Sequence, residues 1–316
     1  MRVLRDKIWA MADFLKEPTV RTLVAGDLES VFLPDHGMLG ASLRHRGAQL
    51  LGRVEDLEAA AAKGSSAGIP FLHPWANRLT EPRYRVLERQ VLLNPASPLL
   101  HLDEHGLPMH GVPWSHLSWV VTDAGQDFVS ARLDWSLSDL LAIFPFRHCV
   151  ELTASLRHDA LTLETTLRAG SDSPVPVSFG FHPYLRLPEL SRKSWQLQLP
   201  EMRKLMLDER GIPTGEEAPF GGFNGSLGEL TFDDGFALPH EQASFTVAAG
   251  GFRISVEFLQ GYRFAQVFAP RDKEYIALEP MTAPTNALTT GRNFRIVDPD
   301  GQFRAVFRIR LDGFQG

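Results

Sequence analysis

A chain of 316 residues, 44% hydrophobic and 22% charged, carries enough apolar surface for a large core and lies outside the disordered and fibrous classes. Its net charge of −6 disfavours nucleic acid or an anionic membrane as the main partner, since both reward a basic face, and leaves a neutral ligand the easier fit. Cys149 is the only cysteine, which excludes an intrachain disulfide and a multi-thiolate metal site and points to a cytoplasmic protein.

Leu4, Ile8, Met11 and Leu15 keep a helical spacing that stops at Pro18. This predicts a short amphipathic helix in an N-terminal extension, residues 1–18, ahead of a single domain over 19–316. Arg2, Arg5, Asp6 and Lys7 interrupt the apolar region a signal peptide needs, and no apolar run is long enough to span a bilayer. Val54 to Lys63, alanine-rich and closed by Gly64, is the one internal segment that reads as a helix. Gly64-Ser65-Ser66-Ala67-Gly68 matches the G-x-S-x-G nucleophile elbow. That serine belongs on a strand-turn-helix, and here a helix precedes it and Ile69-Pro70 follows, so a flexible loop is expected.

Gly68 to Arg78 ends in Asn77-Arg78, where a planar guanidinium is able to donate forked hydrogen bonds to vicinal oxygens, or else simply sits on a surface turn. His101-Leu102-Asp103-Glu104-His105 matches the H-x-x-E-H string of zinc peptidases, which works only on a helix. Pro98, Gly106 and Pro108 bracket it, and the expectation is a surface loop with no metal. His110-Gly111 follows in a proline-rich stretch ending at Trp114.

From there the dominant period is two. Val129, Ala131, Leu133, Trp135 and Leu137 alternate with polar residues, as do Val150, Leu152, Ala154 and Leu156. Leu161, Leu163, Thr165 and Leu167 continue the pattern after His158-Asp159-Ala160, which marks a hairpin. Phe252, Ile254, Val256 and Phe258 repeat it, and so do Phe303, Ala305, Phe307, Ile309 and Leu311, with Arg304, Arg308 and Arg310 opposite. With 26 glycines and 22 prolines punctuating short strands, and no repeating strand-helix order, the pattern predicts an all-β fold. The expected architecture is two large antiparallel sheets packed face to face as a β-sandwich, with few short helices.

Three chemical candidates lie among these strands. Phe179-Gly180-Phe181-His182-Pro183-Tyr184 sets one imidazole among aromatic rings, as either a core histidine or a group that moves protons near neutral pH. Asp233 opens Asp233-Asp234-Gly235-Phe236, which also reads as an ordinary turn. Glu279, in Ala277-Leu278-Glu279-Pro280, is a carboxylate on an apolar strand end, read either as a salt-bridged or edge-exposed glutamate or as one whose pKa desolvation would raise toward that of a useful general base. The glycines of Phe220 to Gly225 lack the lysine and hydroxyl residue of a phosphate loop, so no nucleotide cofactor is indicated.

In this order the pieces resemble the aldose 1-epimerase (galactose mutarotase) family: G-x-P-x-x-x-P-x-x-N-R over Gly68 to Arg78, H-G at His110-Gly111, G-x-H-P-Y at Gly180 to Tyr184, the aspartate, and L-E-P at Leu278-Glu279-Pro280. The resemblance covers nearly everything after about Val20, including Leu33 to Gly40, which looks like the family's opening hairpin. It implies a galactose mutarotase-like supersandwich and a cofactor-free, metal-free isomerase of free aldohexoses such as glucose or galactose, acting on a monosaccharide as a monomer or homodimer. By the same resemblance Glu279 takes the proton from the anomeric hydroxyl and His182 protonates the ring oxygen. Asn77, Arg78, His110 and Asp233, or Asp234 in its place, would hold sugar hydroxyls. Trp75, Trp114, Phe181 and Tyr184 adjoin these residues, and Trp75 and Tyr184 are the aromatic faces expected against the sugar. Two other readings stay open: a hexose 6-phosphate 1-epimerase, for which Arg83 and Arg85 offer cations, and a sugar-binding or sensor protein that keeps the pocket without turnover.

Overall fold

Alternating segments become strands because one face of each finds an apolar neighbour. In the computed structural model, which describes residues 19–313, Val150, Leu152, Ala154 and Leu156 on His148–Leu156 are fully buried. So are Leu161, Leu163, Thr165 and Leu167 on Ala160–Ala169. The two strands pair antiparallel, with Leu156 opposite Leu161, as the hairpin requires. The intervening polar positions face water and interlock there: Arg304 on Gln302–Asp312 donates from Nε and Nη2 to the two carboxylate oxygens of Glu164, each at 2.6 Å. Each fully buried Leu or Val removes apolar area worth about 1.5–3 kcal/mol.

These strands belong to a nine-stranded antiparallel sheet whose centre runs Phe252–Gln260, Gln302–Asp312, Ala160–Ala169, His148–Leu156 and Phe128–Trp135. A second, eight-stranded sheet runs Pro213–Phe220, Met202–Leu207, Phe232–Ala237, Phe264–Ala269, Ile276–Met281, Gly180–Phe181 and Phe71–Leu72, with Tyr184–Leu185 also paired to Ile276–Met281. Aromatic side chains join the two. Phe181 of the second sheet meets Phe307 of the first at 5.0 Å between ring centroids, and Phe179 meets Phe303 at 6.1 Å. The expected pair of large antiparallel sheets is therefore present.

Helices are few and short. The alanine-rich segment is helical only over Leu57–Ala62, because Asp56 caps it through the backbone N–H of Ala59 and the chain turns left-handed at Gly64. Ser138–Ile143 and Ala287–Thr290 are also helical, and neither was expected, since one or two turns are too short to show a 3.6-residue period. Leu137, counted as the end of an alternating strand, is instead exposed where the chain leaves Phe128–Trp135 and enters the helix Ser138–Ile143. The helix expected over Leu4 to Leu15 lies outside the described residues. Among the described residues no helix is long and apolar enough to cross a membrane.

Candidate active site

Glu279 enters the site from Ile276–Met281, a strand buried at every position, and is itself 2% exposed. The Gly-Phe-His-Pro-Tyr run straddles this strand: Gly180 pairs with Met281 and Tyr184 with Ala277. Both flanks keep one register, so residue 182 falls opposite residue 279. The sheet thereby delivers His182 Nε2 to 3.1 Å from Glu279 Oε1. Gly180 is required for this approach, because a Cβ there would stand 2.9 Å from the carbonyl oxygen of Pro280 and 3.0 Å from Ala76 Cβ. The other carboxyl oxygen, Glu279 Oε2, is buried with no hydrogen-bond partner. A buried, unpaired acceptor of that kind is costly unless a ligand completes it.

Burial governs the protonation of the pair. Desolvation, reinforced by the charge of Asp233 and opposed by Arg78, pushes Glu279 well above the usual carboxylate range. Desolvation also lowers His182, to about 3. The pair therefore rests as a neutral carboxyl beside a neutral imidazole, with one proton available between Oε1 and Nε2.

The same sheet supplies two more groups. Gln266 lies opposite Glu279 on Phe264–Ala269 and donates from Nε2 to Asp233 Oδ1 at 2.7 Å, which carries the polar row onto Phe232–Ala237. Asp233 stands at the solvent-facing rim, and what desolvation it feels raises its pKa against the hydrogen bond of Gln266 and the charge of Arg78. Its neighbour Asp234 points elsewhere and pairs with Lys204 at 2.6 Å. Asp233 is therefore the aspartate of the site.

Loops supply much of the remaining lining. Arg78 donates from Nε to Asp103 Oδ2 at 2.6 Å and from Nη1 to Asn77 Oδ1 at 3.3 Å, so its position is fixed before any ligand arrives. Burial alone would raise the pKa of Asp103, but hydrogen bonds from Leu107 N, Arg78 and His105 N hold it below the usual range. His110 packs edge-on to His182, with ring centroids 5.6 Å apart, and its Nδ1 accepts from the backbone N–H of Asn77 at 3.1 Å. That contact leaves the ring proton on Nε2. Desolvation, with His182 and Arg78 adding to it, pushes its pKa well down and keeps the ring neutral. Tyr184 stacks on His182 at 4.2 Å, and its hydroxyl meets Ser66 Oγ at 2.7 Å. These groups surround a cavity of about 270 Å³. That is slightly below the ~300 Å³ at which sites for drug-sized ligands begin, and suits a ligand of monosaccharide size.

The sequence profile of the aldose 1-epimerase family matches residues 22–310. The chain belongs to the aldose 1-epimerase family. A galactose mutarotase-like protein from Clostridium acetobutylicum superposes with a TM-score of 0.81, covering 94% of this chain and 96% of that one at 18% identity. A GalM/aldose epimerase homologue from C. elegans superposes with a TM-score of 0.76, covering 94% and 99% at 15% identity. At these identities the likeness is one of fold. In sequence, the uncharacterized protein YihR of Escherichia coli (strain K12) is 23% identical over 261 residues, 75% of this chain and 77% of that protein.

Seven of the eight residues singled out from this family member's sequence line the cavity: Asn77, Arg78, His110, His182, Tyr184, Asp233 and Glu279. Trp75 does not. It is buried in the core, edge-on to Tyr84, and the second aromatic face of the cavity is Phe268 instead. Trp114 and Phe181 are also packing residues: Trp114 donates from Nε1 to the carbonyl of Ser65, and Phe181 lies between the sheets. Glu279 and His182 touch directly instead of standing apart across a gap. Arg83 and Arg85 lie outside the cavity, exposed and paired with Glu81 and Glu88.

Asp103, Ser66, Gln266 and Arg53 were missed. Asp103 belongs to the H-x-x-E-H string and Ser66 to the G-x-S-x-G string, and both strings are loops as expected. Their side chains nonetheless turn inward, which only a search for partners of Arg78 and Tyr184 would have raised. Among the described residues no group of three or more His, Cys, Asp or Glu side chains is placed to hold a metal ion.

Proposed function

We propose that this protein is a cytoplasmic, cofactor-independent mutarotase that interconverts the α and β anomers of an aldohexose, with glucose and galactose as reference substrates. The single observation that carries the reading is the His182–Glu279 contact of 3.1 Å at a buried cavity wall, with Glu279 Oε2 left unpaired. Opening a hemiacetal takes one proton off O1 and puts one onto O5. Transfer of the shared proton from Glu279 to His182 prepares both events: the carboxylate accepts from O1–H while the imidazolium donates to O5.

The products of that step on the protein are a neutral carboxyl and a neutral imidazole, the state that burial favours. The open aldehyde then rotates about C1–C2, and reclosure runs the two transfers backward onto the other face. Arg78, His110 with its Nε2 proton, and Asp233 offer donors and an acceptor for ring hydroxyls. Tyr184 and Phe268 present apolar faces to the sugar's C–H bonds.

Relaxation of freshly dissolved α-glucose and α-galactose, followed by polarimetry, tests the reading. Glu279→Gln and His182→Ala each remove most of the acceleration, and unchanged rates in either variant would rule out the assigned roles. A non-catalytic sugar sensor would bind the hexose calorimetrically without changing the relaxation rate.

A further inference from the structure

Arg53 is a cavity residue that the mutarotase reading leaves without a role. The other arginine of the cavity, Arg78, is neutralised by Asp103 at 2.6 Å, with Glu104 at 3.9 Å. Arg53 has no carboxylate within ion-pairing distance among the described residues. The nearest candidate in sequence, Glu55, turns away to Arg186 at 2.9 Å. A partly buried guanidinium with no counter-ion is a group in search of one.

Its placement is imposed by the backbone. Leu51 bridges to Leu185, and the N–H of Gly52 donates to the carbonyl of Tyr184 at 3.0 Å, which ties the segment to the strand beside His182. Arg53 itself adopts φ 55°, a left-handed conformation that disfavours a long side chain. The guanidinium carbon lies 5.2 Å from the centroid of the Tyr184 ring. Arg53 thus shares its wall with the hydroxyls of Tyr184 and Ser66, which bond to each other at 2.7 Å and leave one O–H free to donate to a ligand group.

Charge is divided across the cavity. Asp233 and Glu104 lie around Arg78, and Arg53 lies with the hydroxyls of Tyr184 and Ser66. A sugar carrying an anion is repelled from the first group and attracted to the second, so the division orients it in a way that a neutral hexose would not feel.

We infer that the Arg53 wall binds an anionic substituent of the aldose, a carboxylate or phosphate monoester carried away from the anomeric carbon. The inference rests on the mutarotase reading for its sugar and on Arg53 alone for its charge. The guanidinium fork matches both oxyanions bidentately, and the free O–H of the Ser66–Tyr184 pair adds a further donor.

Calorimetric titration of the wild-type protein and of Arg53→Gln with glucose, glucuronate and glucose 6-phosphate tests it, with polarimetric relaxation on the same three sugars. At least one anionic sugar is expected to bind the wild type about 10- to 100-fold more tightly than glucose, and Arg53→Gln to erase that preference. Preference for glucuronate assigns a carboxylate, and preference for glucose 6-phosphate a phosphate monoester. Arg53→Lys, which keeps the charge and loses the fork, retains a reduced preference and serves if Arg53→Gln does not fold. A wild type that binds glucose as tightly as either anion, or an Arg53→Gln protein that keeps the preference, overturns the inference. Titration reads the anion site whether or not any sugar is turned over, whereas failure of every sugar to relax faster overturns the mutarotase reading.

Discussion

Glu279, Gln266 and Asp233 lie on three adjacent strands of one sheet, whereas Asn77, Arg78, Asp103 and His110 lie on loops outside any regular element. The first group is placed by register: once Phe264–Ala269 pairs with Ile276–Met281, Gln266 has no choice but to face Glu279. The second is placed by side-chain hydrogen bonds and by backbone in an unusual conformation, with Asn77 at φ 60° and His110 at φ 62°. Strand-borne chemistry inherits its precision from the core, and loop-borne chemistry builds its own through pairs such as Arg78–Asp103. On the proposed reading the base Glu279 comes from the strand side, while Arg78 and His110, which would hold hydroxyls, come from the loop side.

The sharpest way to break this comparison is at the strand. Glu279→Gln keeps the shape and removes the base, so anomerisation followed by polarimetry should slow by about a hundred- to ten-thousandfold. Stability should respond in a distinctive way. A carboxyl whose folded pKa is raised contributes stability that is complete below its unfolded value, near 4.5, and lost as pH rises through the folded one. Glutamine cannot ionise, so the thermal midpoint of Glu279→Gln should fall less than that of the wild type between pH 5 and pH 8. Parallel pH curves for the two proteins would show that Glu279 is not held neutral by burial.

At the loop wall a smaller loss is expected. Asp103→Asn leaves Arg78 without its ionic anchor, and a hydrogen bond to a charged group is worth about 1.5–3 kcal/mol, or roughly 10- to 100-fold. The effect should fall mainly on KM, because the proton-transfer pair is untouched. A kcat as low as that of Glu279→Gln with KM unchanged would mean that the loop wall takes part in proton transfer.

This contrast also explains what could be read from the sequence. Val150 to Leu156 and Leu161 to Leu167 announced two buried faces because strand periodicity is a local property. Gly180 to Tyr184 and Leu278 to Pro280 were legible as a pair only through family resemblance, yet their meeting is a consequence of register, which no single-strand pattern displays. Asp103 and Ser66 were visible and discounted, since each sits in a string whose familiar chemistry needs a different local structure. Trp75 failed for the opposite reason: it adjoins Asn77-Arg78 in sequence, but Asn77 at φ 60° breaks the extended path between them, and Trp75 packs in the core.

A histidine pair in the core, outside the cavity lining, gives a stability test of similar logic. His73 Nε2 and His148 Nε2 are 2.9 Å apart in the core, and His148 Nδ1 donates to the carbonyl of Phe146 at 2.6 Å. Burial lowers His148 from 6.5 to about 4, so the unfolded chain takes up the proton first. The stability this contributes is complete above pH 6.5 and is lost as pH falls toward 4. The thermal midpoint should therefore drop between pH 7 and pH 5, with the slope reduced in His148→Gln. An identical slope in the variant would place the acid sensitivity elsewhere.

The smallest expected effect separates two adjacent carboxylates. Asp233 accepts from Gln266 at the cavity rim and Asp234 pairs with Lys204 away from it, although the sequence offers them as near equals. Asp233→Asn keeps an oxygen for Gln266 but loses the charge, and one hydrogen bond of ordinary worth, about 0.5–1.5 kcal/mol, corresponds to a rise in KM of roughly 2- to 10-fold. Asp234→Asn breaks only a partly exposed ion pair, for which the usual contribution is about 0–1 kcal/mol, and should leave KM and kcat unchanged. Because the two positions share a strand and differ in the side they face, steady-state kinetics on this pair asks whether strand alternation alone decides which carboxylate meets the sugar. Equal losses in both variants would show that the rim tolerates a change of face and that its charge acts at long range.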